Sequence, residues 1–378
     1  MSAAEALAPE RSVDEVRESL SVTEKGQPAN TIGNCRTVFC HDPLLRGAIR
    51  LNLLTDRVDI VQDLGWRRNT SALTDTDVKY LLLYFEQTYG LTSEKKMTAA
   101  LSIVANENCY HPIQDVLNGL VWDGTPRIRS CLHHFLGADE SDYVEEMLKH
   151  FLLGAIRRVF RPGSKYEEML CLVGGQGAGK SSFFRLLAIR DEWFSDDLKK
   201  LDDDRVYLKL QGHWIIEMSE MLATSSAKSI EEIRSFISRQ KETYRTPYEA
   251  QPKDRLRQCV FGGSSNTLDF LPLDRAGNRR FLPIMIYPEN AEVHIFGGRG
   301  RLQSLSFTGL GGGHDDLPQR PLLYEVQQVH PAPAGGGAEG FHAGGHRGRT
   351  DTGLSGTLHR QHGLLQTAVQ GGAGPHLR

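Results

Sequence analysis

The stretch Met-Leu-Cys-Leu-Val-Gly-Gly-Gln-Gly-Ala-Gly-Lys-Ser-Ser, Met169 to Ser182, constrains this chain more than any other. Met169 to Val173 is an apolar run that reads as a buried strand. Gly174, Gly179, Lys180 and Ser181 then match G-x-x-x-x-G-K-[ST] without a mismatch, and Phe183 to Leu187 opens an apolar helix face. Strand, glycine-rich loop and helix in that order are the context a phosphate-binding loop requires. Glycines let such a loop curl until its backbone N–H groups point inward, and the helix N-terminus adds the positive end of its dipole. The spacing predicts a phosphate cradle from Gly174, Gly175, Gln176, Gly177, Ala178, Gly179, Lys180, Ser181 and Ser182. Lys180 is expected to reach the β- and γ-phosphates of ATP, and the Ser181 hydroxyl to ligate Mg²⁺.

Composition limits the alternatives. A 378-residue chain with 39% hydrophobic and 24% charged residues is ordinary for a soluble protein with one large core or two modest ones. A net charge of −3 signals no global affinity for nucleic acid, leaving only a local basic face open. The six cysteines are scattered without a C-x-x-C pair, so reduced thiols and a cytoplasmic setting are expected; Cys171 and Cys259 read as core residues. The acidic N-terminus lacks the apolar core of a signal peptide, and no run approaches the ~20 apolar residues of a membrane span.

Residues 1–30 are polar and read as disordered. Residues 31–160 read as a mainly helical domain: a helix from Asp42-Pro43 through Ile49, a short strand at Arg57 to Gln62, helices over Val78 to Tyr89 and Glu94 to Glu107, a helix start capped by Thr125, and a long amphipathic helix from Ser141 to Val159. Arg161-Pro162-Gly163 stops that helix and opens an ATPase domain at residues 161–296. There, Trp214 to Glu217 is a buried strand ending in a carboxylate. Glu217 is assigned to the metal and Glu220 to the attacking water, with the reverse assignment open. Ser229 to Glu232 is a capping box opening a helix. Residues 239–257 interleave cations with Tyr244 and Tyr248, a pattern that suits either a nucleic-acid contact or a solvated hairpin. Gln258 to Gly262 reads as a third strand leading to Asn266, an amide placed to meet the γ-phosphate or the water. Arg279 and Arg280 are candidates for an arginine finger acting in cis or in trans, ahead of a last strand at Phe281 to Ile286.

Residues 297–378 differ in kind. They hold 20 of the 38 glycines and 7 of the 14 histidines, no lysine, and only Glu325 and Glu339 as glutamates. Such a stretch buries too little apolar surface to offset ordering its backbone. It reads as an out-of-frame translation beginning near Phe296, or else as a natural low-complexity, disordered tail.

Assembled in order, Asn108 to Pro112, Leu120 to Gly124, the glycine loop, Trp214 to Glu217 with Glu220, Tyr244 to Tyr248 and Gly277 to Phe281 resemble the virulence-associated protein E family. These are P-loop ATPases of phages, prophages and pathogenicity islands, related to superfamily 3 helicases. The resemblance implies an α/β, AAA+-like core behind a helical domain. It also implies a homo-oligomeric ring, by likeness a hexamer, whose active site lies between subunits. Asn266 matches the sensor position, Arg279 or Arg280 the finger, and Lys241, Tyr244 and Arg245 a hairpin contacting DNA, most simply single-stranded. No primase motif stands upstream, so a primase partner is expected to be a separate chain. The function implied is a Mg²⁺-dependent ATPase of a mobile element, a DNA helicase or replication-initiation motor. The alternatives are a nucleotide switch that does not act on DNA, or a degenerate prophage remnant.

Overall fold

The computed structural model describes residues 11–120, 124–198, 201, 206–218, 227–244, 253–269, 279–293 and 295. The chain divides into two compact units, residues 1–115 and 116–378.

In the first unit, α1 (Val13–Glu18) is closed at its start by a reciprocal capping box between Ser12 and Glu15. Val16 and Leu20 are buried in the same core as Phe39 and Phe85. The region expected to be disordered up to residue 30 is therefore folded from residue 12. Two apolar residues one turn apart suffice to anchor a short helix that composition alone marks as polar. Helix α2 (Ile32–His41) starts from Thr31, whose hydroxyl accepts the Asn34 N–H. The helix expected from Asp42-Pro43 to Ile49 does not form. The Asp42 carboxylate accepts the N–H groups of Leu44 and Leu45 and the hydroxyls of Tyr84 and Tyr89, which turns the chain instead. Ile49 then enters β1 (Ile49–Asn52), antiparallel to β2 (Arg57–Ile60). Helices α3 (Asp75–Tyr89) and α4 (Glu94–Glu107) follow; the Gly90 backbone, at φ 70°, ends α3 in the left-handed cap that glycine favours. Helix α5 (Pro112–Asn118) leads to the second unit.

The second unit starts earlier than residue 161. Helix α6 (Ile128–Leu136) begins at Arg127, without the side-chain cap expected from Thr125. Helix α7 (Asp142–Phe160), capped by Ser141, is part of the sheet domain. Its Phe151 ring meets Phe184 at 6.0 Å, and its Ala155 carbonyl accepts the Trp214 indole N–H at 3.0 Å. An amphipathic helix needs a partner for its apolar face, and here that partner is the sheet.

The sheet holds β3 (Met169–Val173), β4 (Phe194–Ser195), β5 (Ile215–Glu217), β8 (Val260–Ser265) and β9 (Phe281–Met285), in the order β4-β5-β8-β3-β9. Every pairing in it is parallel, so this unit is a mixed α/β structure built on a parallel sheet. All five residues of β3 are buried, as a central parallel strand requires. Helix α8 (Lys180–Leu187) follows β3. Met169, Cys171 and Val173 pack with Ile216, Met218 and Phe261 against α9 (Val206–Leu210) and α10 (Ala227–Ile237). Helix α10 opens two residues before the expected Ser229. On the other face α8 sits so close that a Cβ at Gly262 would lie 2.4 Å from the Phe184 ring. Gly262→Ala is expected to destabilise this unit by about 1–3 kcal/mol through overpacking, read as a lowered melting temperature; an unchanged transition would contradict the packing. The hairpin β6 (Lys241–Tyr244) and β7 (Lys253–Leu256) is antiparallel and stands outside the sheet.

Among the described residues, no helix is long and apolar enough to cross a membrane. The tail after Phe296 lies outside the described residues.

Candidate functional site

Parallel strands deliver their C-terminal ends to one edge of a sheet, and α/β proteins place ligands there. Beyond Val173 the chain turns at Gly174, whose N–H bonds the Ser265 carbonyl at 3.1 Å. A Cβ at Gly174 would lie 2.5 Å from Ile286 Cγ1 and 2.8 Å from its carbonyl oxygen, so only glycine lets the loop leave this crowded edge. Gly177 and Gly179 hold φ 79° and 87°, left-handed values that glycine adopts without strain. Gly179 is the N-cap of α8 and Lys180 its first residue, so the helix N-terminus faces the loop. Gly175, Gln176 and Gly177 are exposed, whereas Ala178 is buried beneath them.

Lys180 Nζ folds back into this loop. It donates to the carbonyls of Gly174 at 2.6 Å and Gly175 at 2.8 Å, and to Asn266 Oδ1 at 3.2 Å. Burial draws its pKa down, while the charge of Glu217 acts the other way. The ammonium has no carboxylate within ion-pair range among the described residues, so its charge is available to an anion entering the loop.

Beside it stands Glu217, at the end of β5 and fully buried. Its Oε1 accepts two hydroxyls, from Ser181 at 2.8 Å and from Ser264 at 2.5 Å. Its Oε2 is buried with no hydrogen-bond partner. Burial pushes the Glu217 pKa up, opposed by the two serine bonds; the charge of Asp196 pushes it further up and that of Lys180 draws it down. A buried carboxylate oxygen without a donor is costly, and a cation coordinated there would relieve it. The orphaned oxygen next to the Ser181 hydroxyl therefore suits a hard divalent ion that prefers oxygen ligands.

Lys180, Ser181, Glu217 and Asn266 are thus brought together from a loop, a helix start and two strands. Ser264 joins them and was not expected. Its only signal is its place two residues before Asn266 at the end of a strand, where period-two alternation puts both on one face. Glu220 lies outside the described residues, as do Arg245 and the residues joining the two hairpin strands; of Tyr244 only the backbone is described. Lys241 is half-exposed and pairs with Asp254 at 2.5 Å across the hairpin. Its charge is already matched by that carboxylate.

The arginine pair stands elsewhere. Phe281 is registered with Met169, the first residue of β3, so Arg279 and Arg280 lie at the opposite end of the sheet from the loop. The length of β3 alone, about 13 Å at ~3.3 Å per residue, separates them from Val173. Arg280 is held by Glu167 at 3.4 Å, and Arg279 is exposed. Neither can reach the loop of its own chain, so of the two modes expected for a finger, action in cis is excluded by the register.

The family model described as the virulence-associated protein E-like domain matches residues 117–303. No curated protein matches the chain. Among solved structures, the A form apo structure of the NrS-1 C-terminal region is similar with a TM-score of 0.37 and 17% identity, covering 64% of this chain and 58% of that one. A second A form apo structure of that region, spanning its residues 305–718, gives 0.37 and 14%, with 74% of this chain and 63% of that one covered. The chain therefore spans less than two thirds of the length of these solved chains.

Proposed function

Because residues 117–303 match the family model of the virulence-associated protein E-like domain, we propose that this chain is a Mg²⁺-dependent P-loop ATPase with an AAA+-like, superfamily 3 helicase-like core. In this reading it drives DNA unwinding or replication initiation for a phage or other mobile element. The observation that carries the reading is the convergence of Lys180, Ser181, Glu217 and Asn266 at the C-terminal ends of β3, β5 and β8.

Backbone N–H groups of Gly175 to Ser182 bind phosphate oxygens, and Lys180 exchanges its loop carbonyls for the β- and γ-phosphates. Ser181 and Glu217 would hold Mg²⁺, which when bound would supply positive charge against that developing on the phosphates. Asn266, already in contact with Lys180, orients the terminal phosphate or the attacking water, and Glu220 is assigned the water's proton. The opposite placement of Arg279 and Arg280 supports a finger supplied by a neighbouring copy, so the working unit is a homo-oligomeric ring. Arg279 is the better candidate, since Glu167 already engages Arg280.

The test is ATP hydrolysis with and without single-stranded DNA. Hydrolysis stimulated by DNA is expected, and Glu217→Gln should bind ATP yet turn over at least about 100-fold more slowly. Normal basal turnover without stimulation would instead support a nucleotide switch that does not act on DNA. One observation favours that second reading: Lys241 is neutralised by Asp254. Charge reversal at Lys241 and Arg245 leaves function intact if the switch is correct, and abolishes DNA stimulation if the motor is.

A further inference from the structure

Glu217 is held asymmetrically. Both of its hydrogen bonds, from Ser181 and Ser264, fall on Oε1, and Oε2 has none. The two donors differ in their surroundings. Ser181 is exposed in the first turn of α8, whereas Ser264 is 6% exposed inside β8, between β5 and β3. The register fixes that position, with Leu172 beside Ser264 on one side and Glu217 beside Gly262 on the other. Ser264 is thus on an interior strand of the sheet, with its hydroxyl committed to the carboxylate. The neighbouring Ser265, equally buried, turns its hydroxyl to the Thr267 carbonyl at 2.7 Å. Adjacent serines therefore have different duties, and burial of a hydroxyl on β8 does not by itself explain the contact with Glu217.

We propose that Ser264 is the positioning residue of this centre: by occupying Oε1 it fixes the Glu217 carboxylate and leaves Oε2 as the oxygen free for a divalent cation. This rests on the nucleotide and metal reading given above. The physical need arises from Ser181. A hydroxyl that ligates a cation must turn a lone pair towards it, which changes the direction in which it donates. With Ser181 alone, metal entry would loosen the carboxylate at the moment it has to coordinate. Ser264 takes no part in coordination and keeps its bond in both states. It also joins two parts of the site, since Asn266 lies two residues further along the same strand end and touches Lys180.

The experiment measures equilibrium binding of ATP to the full chain by calorimetry, once with Mg²⁺ and once with EDTA, for wild type, Ser264→Ala and Ser265→Ala. Wild type is expected to bind more tightly with Mg²⁺. Ser264→Ala should lose about 10-fold of that Mg²⁺-dependent gain, as outer-shell partners of metal ligands generally do, while its affinity in EDTA stays at the wild-type value. Ser265→Ala should keep the gain. An intact gain in Ser264→Ala, or an equal loss with Mg²⁺ and with EDTA, overturns the positioning role and leaves Ser264 as packing. No ATP binding by wild type would sink the nucleotide reading itself, a different result from either. If Ser264→Ala does not fold, Ser264→Cys, with a weaker donor at the same place, should show a reduced gain; an undiminished one overturns the proposal.

Discussion

Lys180→Ala is expected to lower kcat/KM for ATP by at least about 100-fold, equivalent to ~2.7 kcal/mol of lost transition-state stabilisation. Lys180 Nζ is the cation of the loop, held by the Gly174 and Gly175 carbonyls and by Asn266. These neutral partners position the ammonium without cancelling its charge, so its full charge meets phosphates that grow more negative at the γ-position during transfer. Lys180→Arg should not rescue the loss. A planar guanidinium cannot take the place of a compact ammonium between two carbonyls at 2.6 and 2.8 Å. The fold should persist, since α8 starts from Gly179 and is packed through Phe183, Phe184 and Leu187. Calorimetric binding and steady-state turnover on the two variants decide the matter. Wild-type affinity and turnover in Lys180→Ala would remove the basis for an ATPase.

The second large effect is structural. Arg158→Ala is expected to destabilise the second unit by at least about 4 kcal/mol, lowering its melting temperature by roughly 8–16 °C. Arg158, on α7, is fully buried. Its guanidinium donates to four carbonyls: Cys259 at 2.7 Å, Tyr166 at 2.5 Å, Ser164 at 3.3 Å and Arg239 at 3.4 Å. Burial draws its pKa down to about 10, with the charge of Arg257 acting in the same sense. The residue is kept because it satisfies the chain entering β3, the residue before β8 and the root of the hairpin at once. Alanine would leave these buried acceptors without a donor, at about 1–3 kcal/mol each for those that water cannot reach. Lysine, a point donor, cannot span partners a planar fork reaches, so Arg158→Lys should recover only part of the loss. Thermal unfolding gives the size of the effect. Amide exchange gives its place: protection should fall along Val260–Ser265 and stay unchanged in α4, which lies in the other unit. Unaltered melting would mean that these bonds contribute nothing net.

The site was legible in the sequence to the extent that its parts are local. Strand, glycine loop and helix start are consecutive residues, and their geometry follows from glycine's freedom at Gly177 and Gly179 and from the apolar run of β3. Glu217 could be singled out because an acid ending an apolar strand is conspicuous. Ser264 could not, because a serine before an asparagine carries no pattern until β8 is set between β3 and β5. The same limit explains the misplaced boundaries. Composition marked residues 1–30 as polar, yet Val16 and Leu20 are enough to dock α1. Periodicity marks α7 but not its partner, so it places the helix in the domain in front of the sheet it covers. Asp42-Pro43 looked like a helix start until the Tyr84 and Tyr89 hydroxyls, more than forty residues away, met the Asp42 carboxylate.

The anion-seeking loop is local, because the required backbone conformations and the lysine that follows them lie within a few adjacent residues. What that loop can work with depends on the packing of the strands. Parallel pairing in the order β4-β5-β8-β3-β9 carries Glu217, Ser264 and Asn266 to the loop. It sends Arg279 and Arg280 to the far end, because side chains distant along the chain meet only where strand order and register bring their ends together.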